Sequence, residues 1–342
     1  MITKALRELG HQVDLFITCK NNNIPSTQDP ANYEQNYSHP SWVKIYDTSN
    51  QISAFFVGRN IFSQYDRVIA ITLSPAYIQF FNKDFISIAT GSDLREFVFQ
   101  NGIYNFLLKK AYQKTKHLFY LNPDHQSAIK KLNLESKSTF LPYPMEIDKF
   151  NYLEANQKQN EKLTVFWPTA WSTRLKGMDK FINACTALFN QGFDFNLQLV
   201  DHTNNDAMEK KDKNIMLDFI KKYQKNITVF QPIKNKEEIF KQYYQADIVA
   251  DQFQIGSFGL VTAEAMCCKK PVMIYFDNDY AKYYNNEAFP GLICQTSQEI
   301  ADVIKKYINN QNELKIVGKI SFAWIKKYHS IQAIGKKINN VL

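Results

Sequence analysis

Glycine is scarce in this sequence, and patterns that mark whole classes of proteins are missing from it. Only 11 of the 342 residues are glycine, about half the usual share, so a glycine where a loop becomes a helix is informative. No apolar run approaches the ~18 residues of a membrane span. The motif G-x-G-x-x-G does not occur, which argues against a dinucleotide-dependent oxidoreductase.

The cysteines indicate the compartment, and the spacing of the cysteines and histidines bears on metal binding. The five cysteines are odd in number and no two are spaced C-x-x-C, which favours a reducing compartment and no zinc site. The six histidines lack ligand spacing. Residues 1–16 do not resemble a signal peptide. The sequence therefore predicts a cytoplasmic protein, either free or peripheral at the inner face of the membrane.

The net charge of +8 suits anionic partners such as nucleotides, lipid diphosphates or an acidic membrane face. The basic residues are scattered along the chain, so nucleic acid is not an expected partner. Residues 105–116 carry four lysines beside apolar residues. Such a basic amphipathic helix either rests on an anionic membrane or presents an ordinary solvated face.

Strands and helices alternate in the second half of the chain, which is typical of a doubly wound α/β domain. The length of 342 residues allows two domains. In the first half, residues 20–50 predict a long loop, and the prolines within 140–144 mark the domain boundary. Strands are predicted at 163–168, 195–200, 227–231, 247–251 and 272–276, and helices at 178–190, 207–224, 236–245, 258–268 and 320–342.

The stretch 246–276 predicts a strand, a loop, a helix and a second strand. Gly256, Ser257 and Gly259 lie where the loop becomes the helix. Small residues there let backbone N–H groups approach an anion, and the helix dipole adds partial positive charge. Glu264 shares a helix face with apolar residues, so its carboxylate needs hydrogen-bond partners. Ligand hydroxyl groups would supply them; a backbone group or a Lys or Arg partner in the core is the alternative.

A second strand-to-helix turn carries two cations. Arg174, Lys176 and Gly177 follow the strand 163–168 and precede the helix 178–190. Two cations and a glycine in such a turn suit a diphosphate. A leaving group that gains negative charge is stabilised by fixed cations of this kind.

Both turns resemble the donor-binding signature of glycosyltransferase family 4, a group of enzymes with the GT-B fold. The segments Ser257-Phe258-Gly259-Leu260-Val261, Glu264-Ala265-Met266 and Lys270-Pro271-Val272 match that signature in order and spacing, and Arg174-x-Lys176-Gly177 resembles the family's R-x-K-G element. The first acidic residue of the signature is replaced by Gly256. The resemblance implies that Arg174 and Lys176 neutralise a nucleotide diphosphate, that the backbone of Ser257 to Leu260 contacts phosphate, and that Glu264 contacts ribose hydroxyls.

Two further motifs have alternative interpretations. The turn of Gly91, Ser92, Asp93 and Arg95 is similar to the family's G-S-D-L-R turn, which would face the sugar or the acceptor; an N-cap formed by Ser92 or Asp93 is the alternative, and the two are compatible. Residues 277–279 form a D-x-D, which holds a divalent cation in metal-dependent transferases but is also common in surface turns. Since D-x-D belongs to the other transferase fold, no metal or other cofactor is expected.

The resemblance implies an α/β protein with the GT-B fold, in which two Rossmann-like doubly wound domains face a cleft. We expect an acceptor-side domain over 1–145, a nucleotide-sugar domain over 146–325, and a C-terminal helix over 326–342 that packs back on the first domain. The strand and glycine-rich turn that the family places before the helix at 3–9 are missing, which predicts a late start codon or a natural truncation.

The implied activity is retaining transfer of a hexosyl unit from a nucleotide sugar, UDP- or GDP-linked, to a saccharide or lipid-linked acceptor in surface polysaccharide or glycoconjugate synthesis. A non-catalytic, glycosyltransferase-like binding or partner subunit is the alternative, because Gly256 replaces an acid and the first strand is missing.

Overall fold

The computed structural model describes residues 1–20, 38–81, 84–150, 160–203, 208–233 and 235–342. Within them the chain forms two compact units. One unit comprises Met1–Pro144 together with Ile331–Leu342, and the other comprises Met145–Ser330. No helix in these ranges is both long and apolar enough to cross a membrane.

The elements follow one another in chain order. The strands are β1 (Leu15–Cys19), β2 (Val43–Asp47), β3 (Val68–Ile71), β4 (Phe85–Ala89), β5 (His117–Tyr120), β6 (Ser138–Phe140), β7 (Thr164–Trp167), β8 (Asn196–Val200), β9 (Ile227–Phe230), β10 (Ile248–Ala250), β11 (Val272–Ile274) and β12 (Leu292–Ile293). The helices are α1 (Ile2–Glu8), α2 (Gln51–Phe62), α3 (Pro75–Ile78), α4 (Ser92–Arg95), α5 (Ile103–Lys114), α6 (Gln126–Lys131), α7 (Thr173–Lys176), α8 (Met178–Asn190), α9 (Lys210–Lys222), α10 (Lys236–Gln245), α11 (Leu260–Cys267), α12 (Ser297–Ile308), α13 (Gln311–His329) and α14 (Ile331–Asn339).

The second unit is built on a six-stranded sheet in the order β12-β11-β10-β7-β8-β9. Every neighbouring pair is parallel. The central strands β7, β10 and β11 are buried at every residue, as expected of strands in a parallel sheet covered by helices. The predicted doubly wound parallel sheet is confirmed, and strands β7 and β10 lie side by side in it.

The first unit contains a parallel β1–β2 pair and a parallel sheet in the order β3-β4-β5-β6. A core that includes Ile88, Phe119 and Ile334 joins β4 and β5 to α14. Helix α14 also packs closely on α1, since a Cβ atom at Gly335 would lie 3.0 Å from the backbone oxygen of Ala5. Glycine permits this approach of two backbones.

The prediction of a long loop over residues 20–50 is wrong in part. Residues 21–37 lie outside the described ranges, but Val43–Asp47 forms β2 and pairs in register with Leu15–Cys19. The strand buries only Tyr46 well and exposes three of its five residues. With so little apolar surface to bury, the segment carries a weak strand signal, and its partner strand decides its conformation.

The single helix predicted over 320–342 is two helices. Ser330 separates α13 from α14 with extended backbone dihedrals, φ −58° and ψ 148°. The segment pairs with Met145, whose backbone N–H donates to the carbonyl of His329 at 2.7 Å. No glycine or proline marks the break in the sequence, because the pairing with Met145 produces it.

Candidate functional site

Two loops at the carboxyl ends of β7 and β10 are joined in the second unit. The backbone N–H of Phe253 donates to the carbonyl of Lys176 at 2.9 Å, and Lys180 Nζ donates to the carbonyl of Phe253 at 2.8 Å. The turn 172–177 and the loop 251–259 therefore form one surface. It lies at the edge of the sheet where doubly wound proteins bind ligands.

Gly177 ends the first of these loops in a left-handed conformation, with φ +65°. A Cβ atom there would lie 3.1 Å from the backbone carbon of Phe253. The turn before it is held by Ser172, which caps α7, and by Asp212 of α9, whose carboxylate accepts from the backbone N–H of Thr173 at 2.9 Å. Glycine is thus required at 177 both for the dihedral angle and for the approach of the second loop.

Replacing Gly177 with alanine should destabilise the protein more than the same change at Gly192. Both glycines have a positive φ, +65° and +82°, but a Cβ atom at Gly192 would meet no described atom within 4 Å. A left-handed alanine costs roughly 1–2 kcal/mol, and overpacking adds roughly 1–3 kcal/mol only at 177. Urea unfolding of both variants measures the difference. Equal losses would show that the contact with Phe253 does not constrain the loop.

The two predicted cations have different environments. Lys176 Nζ lies 3.3 Å from a carboxylate oxygen of Asp251, which is fully buried at the end of β10. The same carboxylate accepts from the Thr262 hydroxyl at 2.7 Å and from the Thr169 hydroxyl at 3.3 Å. Arg174 is exposed, and among the described residues it has no ion pair. Lys176 is therefore fixed in place, whereas Arg174 is available to an anion.

Gln252 is a residue of the site that the sequence did not reveal. Its buried side chain donates to the carbonyl of Tyr275 at 2.8 Å and accepts from the backbone N–H groups of Gln254 and Ile255 at 2.9 and 2.7 Å. Gln252 thereby fixes the course of the loop before α11. A glutamine after a buried strand was the only signal, and it does not specify these contacts.

Gly256 cannot carry the acidic side chain that the family signature has at this position without a local rearrangement. Its φ is +77°, and a Cβ atom there would lie 3.0 Å from the ring of Tyr275 and 3.1 Å from Cβ of Asp277. Gly259 is the opposite case, because a Cβ atom there would meet no described atom within 4 Å. Gly259 is the N-cap of α11, so the positive end of this helix is open to close approach by an anion.

The other residues of the signature offer mostly apolar side chains. Ser257 and Phe258 are buried. The Phe258 ring packs among other aromatic rings, including that of Phe289 at a centroid distance of 5.5 Å. Leu260 is exposed and Val261 is half-buried. Their side chains do not form a polar site, which agrees with a role for backbone N–H groups.

Glu264 lies on α11 with both carboxylate oxygens in contact with α10. Lys236 Nζ is 3.2 Å from one oxygen, and the Tyr243 hydroxyl donates to the other at 3.2 Å. Burial, and then the Glu264 charge, raise the pKa of Tyr243 well above its usual value. The lysine partner considered as the alternative is therefore present. Since Lys236 is partly exposed, a ligand can share or replace it.

The turn of residues 91–95 belongs to the first unit. The buried Asp93 carboxylate accepts from the backbone N–H of Gly91 at 2.6 Å and from the Tyr112 hydroxyl at 2.8 Å. Burial and this carboxylate raise the pKa of Tyr112. Asp93 thus holds the turn together, which is the structural role considered as the alternative for this turn. Ser92 is exposed, and Arg95 pairs with Asp124 at 2.6 Å.

The D-x-D sequence after β11 forms a local turn. One Asp277 carboxylate oxygen accepts from the backbone N–H of Asp279 at 3.0 Å. Within the described ranges, no group of three or more His, Cys, Asp or Glu residues is placed to hold a metal ion.

The chain is similar to known proteins in both sequence and structure. The sequence model of the family described as "Glycosyl transferases group 1" matches residues 148–324. No curated protein matches the chain. Sucrose-phosphate synthase from Thermosynechococcus elongatus is similar in structure, with a TM-score of 0.68 and 14% identity over 99% of this chain and 90% of that one.

Two other solved structures are similar along most of their length. HepE of Anabaena in complex with UDP has a TM-score of 0.70 and 13% identity over 96% of this chain and 99% of its own. A glycosyltransferase from Rickettsia africae has a TM-score of 0.66 and 16% identity over 99% and 92%. These likenesses confirm the predicted α/β GT-B fold.

Proposed function

Because the chain belongs to the glycosyl transferases group 1 family, and is thus a glycosyltransferase of the hexosyltransferase class that uses nucleotide sugars, we propose that it is a retaining enzyme whose acceptor is a saccharide or a lipid-linked saccharide. We further propose that it acts in the cytoplasm in surface polysaccharide or glycoconjugate synthesis. The observation that carries the proposal is the joining of the Arg174–Gly177 turn to the loop before α11. The five cysteines of the chain are free, which suits the reducing environment of the cytoplasm.

The diphosphate of the donor would lie between these two loops. Arg174 and Lys176 would stabilise the negative charge that the leaving diphosphate gains as the sugar bond breaks, which is the step where fixed cations have most effect. Backbone N–H groups at Gly259 and Leu260 would bind phosphate at the positive end of α11. We assign no general base to the reaction.

Glu264 would accept hydrogen bonds from the ribose hydroxyls. It lies one turn into α11 on the side of α10, and its lysine partner is partly exposed. A carboxylate that is already held in place by two partners accepts further hydrogen bonds without further ordering. The ribose would therefore lie farther along α11 than the diphosphate.

Asp277 would supply the carboxylate that Gly256 does not. Its Cβ lies 3.1 Å from the place where a side chain at 256 would begin, and its backbone N–H donates to the Gly256 carbonyl at 2.8 Å. The carboxylate therefore starts from nearly the position of the missing acid, but from the end of β11. There it would accept hydrogen bonds from hydroxyls of the donor sugar.

A thermal-shift panel of UDP-, GDP- and ADP-linked hexoses tests the proposal. We expect a UDP sugar to stabilise the protein most, since HepE of Anabaena has been solved with UDP and with UDP-glucose. A ligand at 100–1,000 times its dissociation constant stabilises by roughly 2.7–4.1 kcal/mol. If no sugar nucleotide raises the melting temperature at millimolar concentration, the donor site is misassigned.

Chelation of metal ions, together with substitution of Asp277 and Asp279, distinguishes a sugar contact from a metal site. We expect transfer to survive EDTA, Asp277→Asn to lower kcat/KM about tenfold, which corresponds to ~1.4 kcal/mol, and Asp279→Asn to have little effect. Asparagine caps a helix as well as aspartate does, so the turn should persist in the first variant. Loss of activity with EDTA, rescue by manganese and equal losses in both variants would instead indicate a metal bound by the D-x-D.

A non-catalytic binding subunit is the second candidate, favoured by the glycine at position 256. Release of nucleoside diphosphate from the stabilising donor, with water or an added saccharide as acceptor, distinguishes the two. Turnover that Arg174→Ala lowers by about two to three orders of magnitude supports the enzyme. Donor binding without any release supports the binding subunit.

A further inference from the structure

Helices α2, α3 and α5 of the first unit expose large apolar side chains to solvent. Ile103 is 83% exposed, Phe56 64% and Phe106 58%. Single exposed hydrophobic residues are normal on a protein surface, but a continuous group of them marks an interaction site. The group, called here the apolar surface, consists of Phe55, Phe56, Val57, Tyr77, Phe80, Ile103 and Phe106.

Ring contacts join the three helices into one surface. The Phe55 ring of α2 lies 6.4 Å from that of Phe80, just beyond α3. Tyr77 of α3 lies 5.5 Å from Tyr104 of α5. Residues 103 and 106 are three apart, so they lie on one face of α5. Phe55 and Phe80 are therefore neighbours, and Tyr77 lies beside the helix that carries Ile103 and Phe106.

The charges on these helices all have one sign. The segments 51–62, 75–78 and 103–114 contain no aspartate or glutamate. They carry Arg59, Lys109, Lys110 and Lys114. Lys110 Nζ lies over the Phe106 ring at 5.7 Å from its centroid, and Lys114 follows one turn later on the same face. Positive charge thus borders the apolar side chains directly.

We propose that the apolar surface docks on an anionic lipid bilayer. Aromatic and aliphatic side chains would enter the boundary between headgroups and acyl chains, and the basic groups would remain among the negative headgroups. Each basic residue near such a membrane strengthens binding roughly fivefold. A second copy of the chain fits less well, because a symmetric interface would place the same positive charges on both sides.

The proposal goes beyond the transferase activity, since it depends on the first unit and on none of the donor-binding residues. A lipid-linked acceptor would be reached from the same bilayer. The thermal shift that the donor produces, measured on every variant described below, separates membrane docking from the proposed transferase activity. A variant that loses membrane binding but keeps its thermal shift leaves the proposed activity untouched.

Co-sedimentation of the full chain with vesicles tests the proposal. We expect binding to phosphatidylcholine vesicles that contain phosphatidylglycerol, weak binding to phosphatidylcholine alone, and weakening by salt. The double variant Phe56→Ser/Phe106→Ser should bind at least tenfold more weakly, and Lys110→Gln/Lys114→Gln roughly tenfold or more. The matched control is Ile316→Ser/Ile320→Ser on α13, where the wild-type side chains are 62% and 54% exposed, and it should bind like the wild type.

Three outcomes would overturn the proposal. The wild type could fail to bind anionic vesicles at low salt. The α13 control could lose binding as much as the apolar-surface variant. Light scattering could show a wild-type dimer that Phe56→Ser/Phe106→Ser converts to a monomer with no change in vesicle binding, in which case the surface joins two copies of the chain.

Discussion

Arg174→Ala should lower kcat by about two to three orders of magnitude while leaving the free energy of unfolding nearly unchanged. Removing one preorganised charge stabiliser costs about 2.7–4 kcal/mol of barrier. Arg174 is exposed and has no ion pair among the described residues, and surface substitutions of that kind change stability by within about 0.5 kcal/mol. Steady-state turnover with the stabilising donor, together with urea unfolding, measures both quantities.

Lys176→Ala should lose a similar amount of turnover and also lose stability. The buried Asp251 carboxylate would keep its two threonine partners but lose its cation, and an incompletely satisfied buried charge costs roughly 1–3 kcal/mol. Arg174→Lys should be intermediate, since a point charge replaces a fork of donors. The exposed Lys221→Ala on α9 is the control. Normal turnover in both the Arg174 and Lys176 variants would refute the phosphate assignment.

Glu264→Gln should weaken donor binding roughly ten- to a hundredfold, or about 1.4–2.8 kcal/mol. Glutamine keeps the shape and still accepts a hydrogen bond from Tyr243. It loses the charge that strengthens hydrogen bonds to ribose hydroxyls, which are worth about 1.5–3 kcal/mol each. The lost ion pair with the partly exposed Lys236 should cost no more than about 1 kcal/mol of stability. Calorimetric titration with the same donor gives the two affinities.

Lys236→Gln is the matched control for Glu264. It removes the same ion pair but leaves the carboxylate and its bond to Tyr243 in place. If Glu264 contacts ribose, Lys236→Gln should bind the donor about as well as the wild type does. If Glu264 serves only to hold α10 against α11, both variants should lose stability equally and neither should change donor affinity.

The second unit was predictable because its strands have a strong local signal. Thr164–Trp167 and Ile248–Ala250 are buried throughout, and they lie in short, mostly apolar runs of the sequence. The glycine-containing turns that follow them mark where strand becomes helix. These local features were sufficient to predict a strand-to-helix turn at each of the two positions.

Other parts of the fold depend on contacts between distant residues. The strand Val43–Asp47 pairs with β1 in a segment whose composition predicts a loop. The break at Ser330 follows from pairing with Met145, 185 residues earlier in the chain. Neither the strand Val43–Asp47 nor Ser330 has a local preference that reveals its pairing. Propensity and periodicity alone therefore could not locate these features.

The site shows the same division between local features, which the sequence predicts, and contacts between distant residues, which it does not. Residues 174–177 and 256–264 stand out in the sequence, but their contacts do not. The pairing of Lys176 with Asp251, the buried hydrogen bonds of Gln252 and the position of Asp277 beside Gly256 all join separate loops. At Asp93 the local alternative is present, since its carboxylate accepts from the backbone of its own turn.

Hydrogen–deuterium exchange with and without the sugar nucleotide that gives the largest thermal shift tests the central claim most directly. The claim is that the donor binds where the Arg174–Gly177 turn meets the loop before α11. At saturation, confirmed by calorimetry, amide exchange should slow at residues 172–178 and 256–262. Slowed exchange confined to other parts of the second unit, with these two segments unchanged, would contradict it.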